Sequence, residues 1–305
     1  MIGAAAAAIA LVAPLGLSAC SSRDGRDTGA PAGECPTAPV NVVVSVDQWG
    51  DIVQELGGDC AEVKTVLASS AVEPHEFEPS PADAATFAKA QLVVVNGAGY
   101  DPWASKFAAT SAPKAPVVDA GVVTETPAGS NPHLWYRPSA VVAVADAVTA
   151  ELEKLAPEAQ SYFADRRASF STSLEPYDAL LGDIKAGAAG KTYAATESVF
   201  DYTAEAVGLV DKTPAGYQTA SANDSDPSPA DLEAFRSALA DRQIDVLIYN
   251  TQTEGSVPEQ IRSAAAAANV PVVEVTETVP PGTTSFETWQ VDQLNALAKA
   301  LGVAG

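Results

Sequence analysis

The sequence predicts an α/β protein with two lobes, each a mostly parallel sheet flanked by helices, joined by a long rigid connecting helix. The chain has 305 residues, and a single hydrophobic core stops growing near ~250–300 residues, so two cores are expected. Short β-branched segments alternate with amphipathic segments near both ends of the chain, which indicates strand–helix units and parallel sheets. Between these regions lie two consecutive helical segments with no strand.

The N-terminal lobe is predicted over residues 40–137. Its strands are short, apolar and rich in Val, and its helices carry apolar residues at three- and four-residue spacing. Gly57-Gly58 ends the first helix. Strand, helix, strand, helix and strand are predicted in turn at Val40–Val46, Trp49–Leu56, Val63–Leu67, Pro81–Ala90 and Leu92–Asn96.

The connecting segment is predicted over residues 138–187. Pro138–Leu155 has helical spacing, and a second helical tract runs from Pro157 to about Lys185. At 1.5 Å per residue the second tract reaches ~40 Å, which suits a rigid connector between lobes. Pro176 lies inside this tract and predicts a kink or a break.

The C-terminal lobe is predicted over residues 188–305, where the alternation of strands and helices resumes. Its predicted strands are Lys191–Ala195, Val246–Asn250 and Val272–Val275. Its predicted helices are Phe200–Val207, Ser228–Asp241, Pro258–Asn269 and Thr288–Leu301.

Residues 1–19 have the pattern of a lipoprotein signal peptide. The apolar run Ile2–Leu17 is shorter than the ~20 residues that a membrane-spanning helix needs. It ends in Leu-Ser-Ala-Cys, which resembles a bacterial lipobox, so Cys20 is expected to carry lipid. Residues 20–39 would then hold the lipidated cysteine and a flexible spacer rich in Ser, Gly, Ala and Pro. The expected location is the extracytoplasmic face of a bacterial cell membrane, with the protein held there by its lipid anchor.

Two further cysteines, Cys35 and Cys60, remain after Cys20. An even pair in an exported protein is usually a disulfide, and we predict one here. A cysteine–metal site is not favoured, because the two residues are far apart and neither belongs to a CxxC pair.

The formal charge of −22, from 39 acidic and 17 basic residues, makes nucleic acid an unsuitable partner. A negative field can raise the local concentration of a cation, although most surface carboxylates serve only solubility. Charge alone therefore predicts no ligand.

The chain has only two histidines, each in a short polar turn with neighbouring proline. His75 lies in Pro74-His75-Glu76-Phe77-Glu78-Pro79, beyond a predicted strand, where α/β sheets place ligands. His133 lies in Asn131-Pro132-His133-Leu134-Trp135. A lone imidazole binds metal weakly, so a surface role for each histidine stays open. Composition and spacing alone predict a two-lobed binding protein with no ligand assigned.

Together with two later segments, these turns resemble the solute-binding lipoproteins of manganese and zinc ABC importers, the cluster A-I binding proteins. The later segments are Glu197-Ser198-Val199-Phe200-Asp201-Tyr202 and Val275-Thr276-Glu277-Thr278, and the resemblance spans about Val40 to Leu301. It implies one ion in the cleft between the lobes, held by two histidines of the N-terminal lobe and two C-terminal residues. The implied ligands are His75, His133, Glu197 and Glu277.

Glu277 departs from the family, which usually has Asp at this place, and Glu274 is the competing candidate. Glu277 is preferred because Val272–Val275 is predicted as a strand and Glu277 lies in the turn after it. A solvated role for both carboxylates stays open.

Two imidazoles and two carboxylates favour a transition metal, since Mg²⁺ and Ca²⁺ require more oxygen ligands. Carboxylates can bind through one or two oxygens, and the sequence has no His-rich loop of the kind found in many zinc binders. We therefore expect one transported Mn²⁺ or Zn²⁺ ion, with Mn²⁺ favoured. Zn²⁺ stands above Mn²⁺ in the Irving–Williams order, so the ligand set alone does not decide the ion.

The resemblance also implies a partner, the permease of an ABC importer in the membrane, and a monomer is expected. Catalysis is not expected, because the sequence has no H-E-x-x-H helix and no G-x-S-x-G turn, although Glu76 or Glu78 beside a metal could activate water. Two binding alternatives stay open. They are a lipoprotein for an organic solute or siderophore, and a surface adhesin.

Overall fold

The structure is a computed structural model and describes Met1 and residues 34–68, 77–223, 225–253 and 255–303. The predicted signal peptide and Cys20 lie outside the described residues, as does His75. Residues 32–305 form one unit that contains two four-stranded sheets. In the part of the chain that the structure describes, no helix is both long and apolar enough to cross a membrane.

The first sheet consists of parallel strands in the order β2-β1-β3-β4. Its central strands are rich in Val and buried on both faces, as in parallel sheets covered by helices. These strands are β1 (Val40–Val46), β2 (Ala61–Leu67), β3 (Leu92–Val95) and β4 (Val117–Asp119). The accompanying helices are α1 (Asp47–Gly57), α2 (Pro81–Phe87), α3 (Pro102–Ser111) and α4 (Ala120–Val123).

Helix α2 shows how local sequence fixes a helix start. The Ser80 hydroxyl accepts a hydrogen bond from the backbone N–H of Asp83, and the Asp83 carboxylate accepts one from the backbone N–H of Ser80. Pro81 occupies the first turn, where its missing N–H has no intrahelical partner to lose.

Three helices follow the first sheet: α5 (Pro138–Leu155), α6 (Gln160–Ser173) and α7 (Glu175–Ala188). The predicted single connecting tract is divided at Leu174, and Pro176 lies in the first turn of α7. The predicted break is thus confirmed, because proline is tolerated in the first turn of a helix and not in its interior.

The second sheet has parallel strands in the order β6-β5-β7-β8, which repeats the order of the first sheet. Its strands are β5 (Thr192–Ala195), β6 (Val210–Asp211), β7 (Val246–Asn250) and β8 (Val272–Val275). Its helices are α8 (Asp201–Ala206), α9 (Ala215–Ser221), α10 (Pro229–Ala240), α11 (Ser256–Ala268) and α12 (Phe286–Leu301).

The two sheets share one cluster of buried side chains, to which Val44 of β1 and Ile248 of β7 both belong. Within it the Tyr136 ring lies 5.2 Å from that of Phe200 and 5.6 Å from that of Trp289, measured between centroids. These edge-on aromatic contacts join the two halves of the protein, because Tyr136 precedes α5 whereas Trp289 lies on α12.

The predicted two-sheet α/β fold is confirmed by this architecture. Strands β1, β7 and β8 and helix α5 have the predicted bounds, whereas β4, β6, α3, α4 and α9 were not predicted. The division into lobes at residues 40–137, 138–187 and 188–305 stays a prediction. In the structure, a disulfide joins Cys35 to Cys60, the residue directly before β2.

Candidate metal centre

Three side chains meet where strands of the second sheet end. Glu197 follows β5, Glu277 follows β8, and His133 precedes a short 3-10 turn, Leu134–Tyr136, that leads into α5. One ligand atom from each residue lies within 4.8 Å of those of the other two. The carboxyl ends of parallel strands are the usual place for a ligand in open α/β sheets.

His133 is 2% exposed and is oriented by Asn131. The Asn131 side chain donates to the carbonyl oxygen of Ser198 at 2.7 Å, which directs its own Oδ1 toward His133. This oxygen lies 2.8 Å from Nδ1 and accepts the backbone N–H of His133 at 3.0 Å. Because Oδ1 can only accept, Nδ1 carries the proton. The other ring atom, Nε2, then faces Oε2 of Glu277 at 3.8 Å.

The carboxylate of Glu277 is 1% exposed and accepts hydrogen bonds at both oxygens. The Tyr100 hydroxyl donates to Oε2 at 3.0 Å, and Nδ2 of Asn250 donates to Oε1 at 3.1 Å. The Glu277 backbone is held as well. Its N–H donates to Gln252 at 2.7 Å, and its carbonyl accepts from Gln48 at 2.5 Å. These contacts come from both halves of the chain, so Glu277 has a fixed position.

Glu197 is half-buried and has its own set of donors. Its Oε2 accepts from Nδ2 of Asn250 at 2.8 Å and from the hydroxyl of Thr253. Nearby Asp201 accepts a hydrogen bond from the Tyr193 hydroxyl at 3.0 Å. Burial raises the pKa of Asp201 to about 6, with the hydrogen bond from Tyr193 opposing the rise. Burial of Asp201 thus favours its neutral form more than exposure to water would.

Burying two carboxylates beside an imidazole raises the free energy of the folded protein, because negative charge removed from water requires a positive partner. A divalent cation bound by the three ligand atoms would supply it. The donors are nitrogen and oxygen, which suit first-row transition metals. Because His75 lies outside the described residues, the structure places three of the four predicted ligands.

Glu274, the competing candidate, lies away from this group. Its side chain is 53% exposed and pairs with Arg262 of α11. Residues alternate between the two faces of a strand, and Val273 and Val275 are buried while Glu274 is exposed. The geometry therefore favours Glu277.

Several side chains that contact the candidate ligands were not predicted, notably Tyr100, Asn131 and Asn250. One signal was available for Asn250. It is the last residue of a buried strand and the first of the polar run Asn250-Thr251-Gln252-Thr253, at the strand end where parallel sheets place functional groups.

Comparison with known families agrees with this arrangement. The family model described as "ZnuA: Zinc-uptake complex component A periplasmic" matches residues 42–300. The chain belongs to the ZnuA family. The predicted resemblance to metal-binding solute-binding proteins of ABC importers is thereby confirmed.

Among relatives in the ZnuA family, the high-affinity zinc uptake system protein ZnuA of Bacillus subtilis (strain 168) is 23% identical over 247 residues, or 75% of this chain and 76% of that protein. The manganese-binding lipoprotein MntA of Halalkalibacterium halodurans is 23% identical over 177 residues, or 56% of this chain and 58% of that protein.

A solved structure shows the same fold. The periplasmic zinc binding protein TroA from Treponema pallidum has a TM-score of 0.72 at 19% identity, covering 87% of this chain and 99% of that one.

Proposed function

We propose that this protein captures one divalent transition-metal ion outside the cytoplasm and delivers it to the permease of an ABC importer. One observation carries the proposal. His133, Glu197 and Glu277 bring ligand atoms within 4.8 Å of one another at the carboxyl ends of parallel strands. The fourth ligand in this proposal is His75. The names of the relatives, a zinc uptake protein and a manganese-binding lipoprotein, agree with such a cargo.

The proposed cargo is Mn²⁺ in preference to Zn²⁺. Two carboxylates offer up to four oxygens, so the coordination number can exceed the four that structural zinc prefers. Zn²⁺ competes because it binds nitrogen and oxygen donors more tightly than Mn²⁺ does in general. The proposal therefore concerns the relative affinity for the two ions, and Zn²⁺ binding is expected as well.

The rest of the proposal rests on the lipobox-like segment of the sequence and on the family resemblance. The protein acts as a monomer and is anchored by lipid on Cys20 at the extracytoplasmic face of the cell membrane. It catalyses no reaction, since the donors enclose an ion for transport. Delivery occurs when docking on the permease disturbs the positions of the ligands.

The test is a competitive titration of the metal-free protein, prepared from Ser21 onward, with Mn²⁺ and Zn²⁺. One equivalent of each ion should bind, and His133→Ala and Glu277→Ala should each weaken binding at least about 100-fold. His75→Ala should have the same effect. Glu274→Ala is the matched control, because it removes a carboxylate from the same strand region outside the site. Absence of binding in the unaltered protein would refute the proposal.

A further inference from the structure

Asn250 lies at the end of an interior strand of the second sheet, between the two candidate carboxylate ligands. Strand β7 lies between β5 and β8, and Asn250 is its last residue. Glu197 lies two residues beyond β5, and Glu277 lies two residues beyond β8. The strand order therefore places Asn250 between the two carboxylates, even though the three residues are far apart in the sequence.

The Asn250 amide bridges these carboxylates. Its Nδ2 donates one hydrogen bond to Oε2 of Glu197 at 2.8 Å and another to Oε1 of Glu277 at 3.1 Å. The side chain is 1% exposed, so these bonds are shielded from water. One neutral NH₂ group thus holds two negative groups beside each other without adding charge.

The orientation of the amide is fixed by its oxygen. Oδ1 of Asn250 accepts the backbone N–H of Gln252 at 3.0 Å. Exchanging oxygen and nitrogen would place Oδ1 against two carboxylates and the NH₂ group against an N–H donor, which are repulsive contacts. The NH₂ group therefore points toward Glu197 and Glu277.

The bridge leaves a different oxygen of Glu277 facing the histidine. Oε1 is engaged by Asn250, whereas Oε2 is the atom 3.8 Å from Nε2 of His133. Oε2 also accepts from the Tyr100 hydroxyl at 3.0 Å. A cation between Glu277 and His133 would meet Oε2 first, and turning the carboxylate to offer both oxygens would break the bond to Asn250.

We propose that Asn250 is a positioning residue that disfavours, without preventing, the binding of the ion through both oxygens of Glu197 and of Glu277. This inference rests on the proposed function and deepens it. With single-oxygen binding the coordination number stays low, which favours Zn²⁺, whereas two-oxygen binding raises it, which favours Mn²⁺. Asn250 thus limits the preference for Mn²⁺ that the two carboxylates create.

The test replaces Asn250 with Ala and measures Mn²⁺ and Zn²⁺ affinities by competition. The ratio of Mn²⁺ affinity to Zn²⁺ affinity should rise about tenfold, the effect expected from losing one or two hydrogen bonds that restrain the ligands. Co²⁺ serves as a spectroscopic probe, because four-coordinate Co²⁺ absorbs visible light much more strongly than higher-coordinate Co²⁺. Visible absorbance of the Co²⁺-loaded variant should fall relative to that of the unaltered protein.

Gln252→Ala is the matched control. The Gln252 side chain accepts hydrogen bonds from the backbone N–H groups of Glu277 and Thr278. Its loss removes restraints on the backbone of Glu277 but leaves the hydrogen bonds from Asn250 to the two carboxylates. This variant should weaken Mn²⁺ and Zn²⁺ binding by similar factors and leave the Co²⁺ spectrum unchanged.

A second variant, Asn250→Ser, serves if Asn250→Ala does not fold. A serine hydroxyl has one proton and can bridge only one carboxylate, so the affinity ratio and the Co²⁺ absorbance should shift in the same direction by a smaller amount. An unchanged ratio and an unchanged Co²⁺ spectrum in the folded Asn250 variants would overturn the inference. Failure of the unaltered protein to bind Mn²⁺, Zn²⁺ or Co²⁺ would instead refute the proposed function.

Discussion

Replacing Glu287 with Gln is expected to stabilise the metal-free protein at pH 8.5 and to change its stability little at pH 5. Asp47, Asp51 and Glu55 follow one another at four-residue intervals on one face of α1, opposite Glu287 in the first turn of α12. Burial is the main cause that raises the pKa of Glu55 to about 8, and the charge and hydrogen bond of Glu287 add to it while Arg166 opposes it. Burial also raises the pKa of Asp47 to about 7.

The sign of the pH dependence follows from these raised pKa values. Between its ordinary pKa of 4.5 and about 8, Glu55 keeps in the folded protein a proton that the unfolded chain releases. The free energy of unfolding therefore falls as the pH rises through this interval. At pH 5, neutral Glu55 can donate a hydrogen bond to Glu287, whereas above its raised pKa Glu55 is charged and the charge of Glu287 acts against it.

The magnitude can be bounded from the pKa of Glu55. A rise from 4.5 to about 8 corresponds to at most ~5 kcal/mol at about 1.4 kcal/mol per pH unit. Glu55 is partly exposed, burial accounts for the largest share, and solvent screens the remainder, so about 1 kcal/mol is assigned to Glu287. Gln at position 287 retains a hydrogen bond at either pH, because its amide accepts from neutral Glu55 and donates to ionised Glu55.

The assay is urea denaturation of the unaltered protein and the variant at both pH values, in the presence of a chelator. Glu175→Gln is the control, since Glu175 also lies in the first turn of a helix, α7, but is exposed. It should lower stability by at most about 0.5 kcal/mol at both pH values, through loss of its interaction with the helix dipole. Equal destabilisation by Glu287→Gln at pH 5 and pH 8.5 would show that Glu287 does not repel ionised Glu55.

Three further predictions concern the Cys35–Cys60 disulfide, Gly97 and the carboxylate of Glu274, which lies outside the candidate site. Replacing Cys35 and Cys60 together with Ser should lower the free energy of unfolding by about 3 kcal/mol, because the bridge closes a loop with a sequence separation of 25; no loss in urea denaturation would contradict this. Gly97→Ala should lower the free energy of unfolding by about 1–3 kcal/mol, since Gly97 has a φ of +67° and a Cβ there would lie 1.9 Å from Oδ1 of Asp119. An unchanged midpoint of urea denaturation would count against this prediction. Glu274→Ala should leave Mn²⁺ and Zn²⁺ affinities within about twofold, as for surface substitutions in general, and a loss comparable to that of Glu277→Ala would reverse the assignment of the ligand.

Much of the fold was predictable because its central strands are buried on both faces. Val40–Val46 and Val246–Asn250 are runs of mostly apolar residues with clear ends, and the structure places both strands at those bounds. Strands β4 and β6 have three and two residues, too few for a periodic pattern. Their positions depend on pairing with β3 and β5, which is tertiary information.

The candidate ligands could be predicted from the sequence because they lie within recognisable motifs. His133, Glu197 and Glu277 were named from such motifs, and the structure brings them together. The alternating faces of β8 could have excluded Glu274, since its neighbours Val273 and Val275 are apolar. The role of Asn250 was not predictable in this way, because it depends on the strand order of the second sheet.

The most direct test of the central claim is anomalous X-ray diffraction at the metal absorption edge, on crystals loaded with one equivalent of Mn²⁺ or Zn²⁺. We expect a single anomalous peak bounded by His133, Glu197 and Glu277, with the imidazole of His75 completing the ligand set. A peak at another place, or a peak at this place with Glu274 as a ligand instead of Glu277, would show that the proposed metal site is wrong.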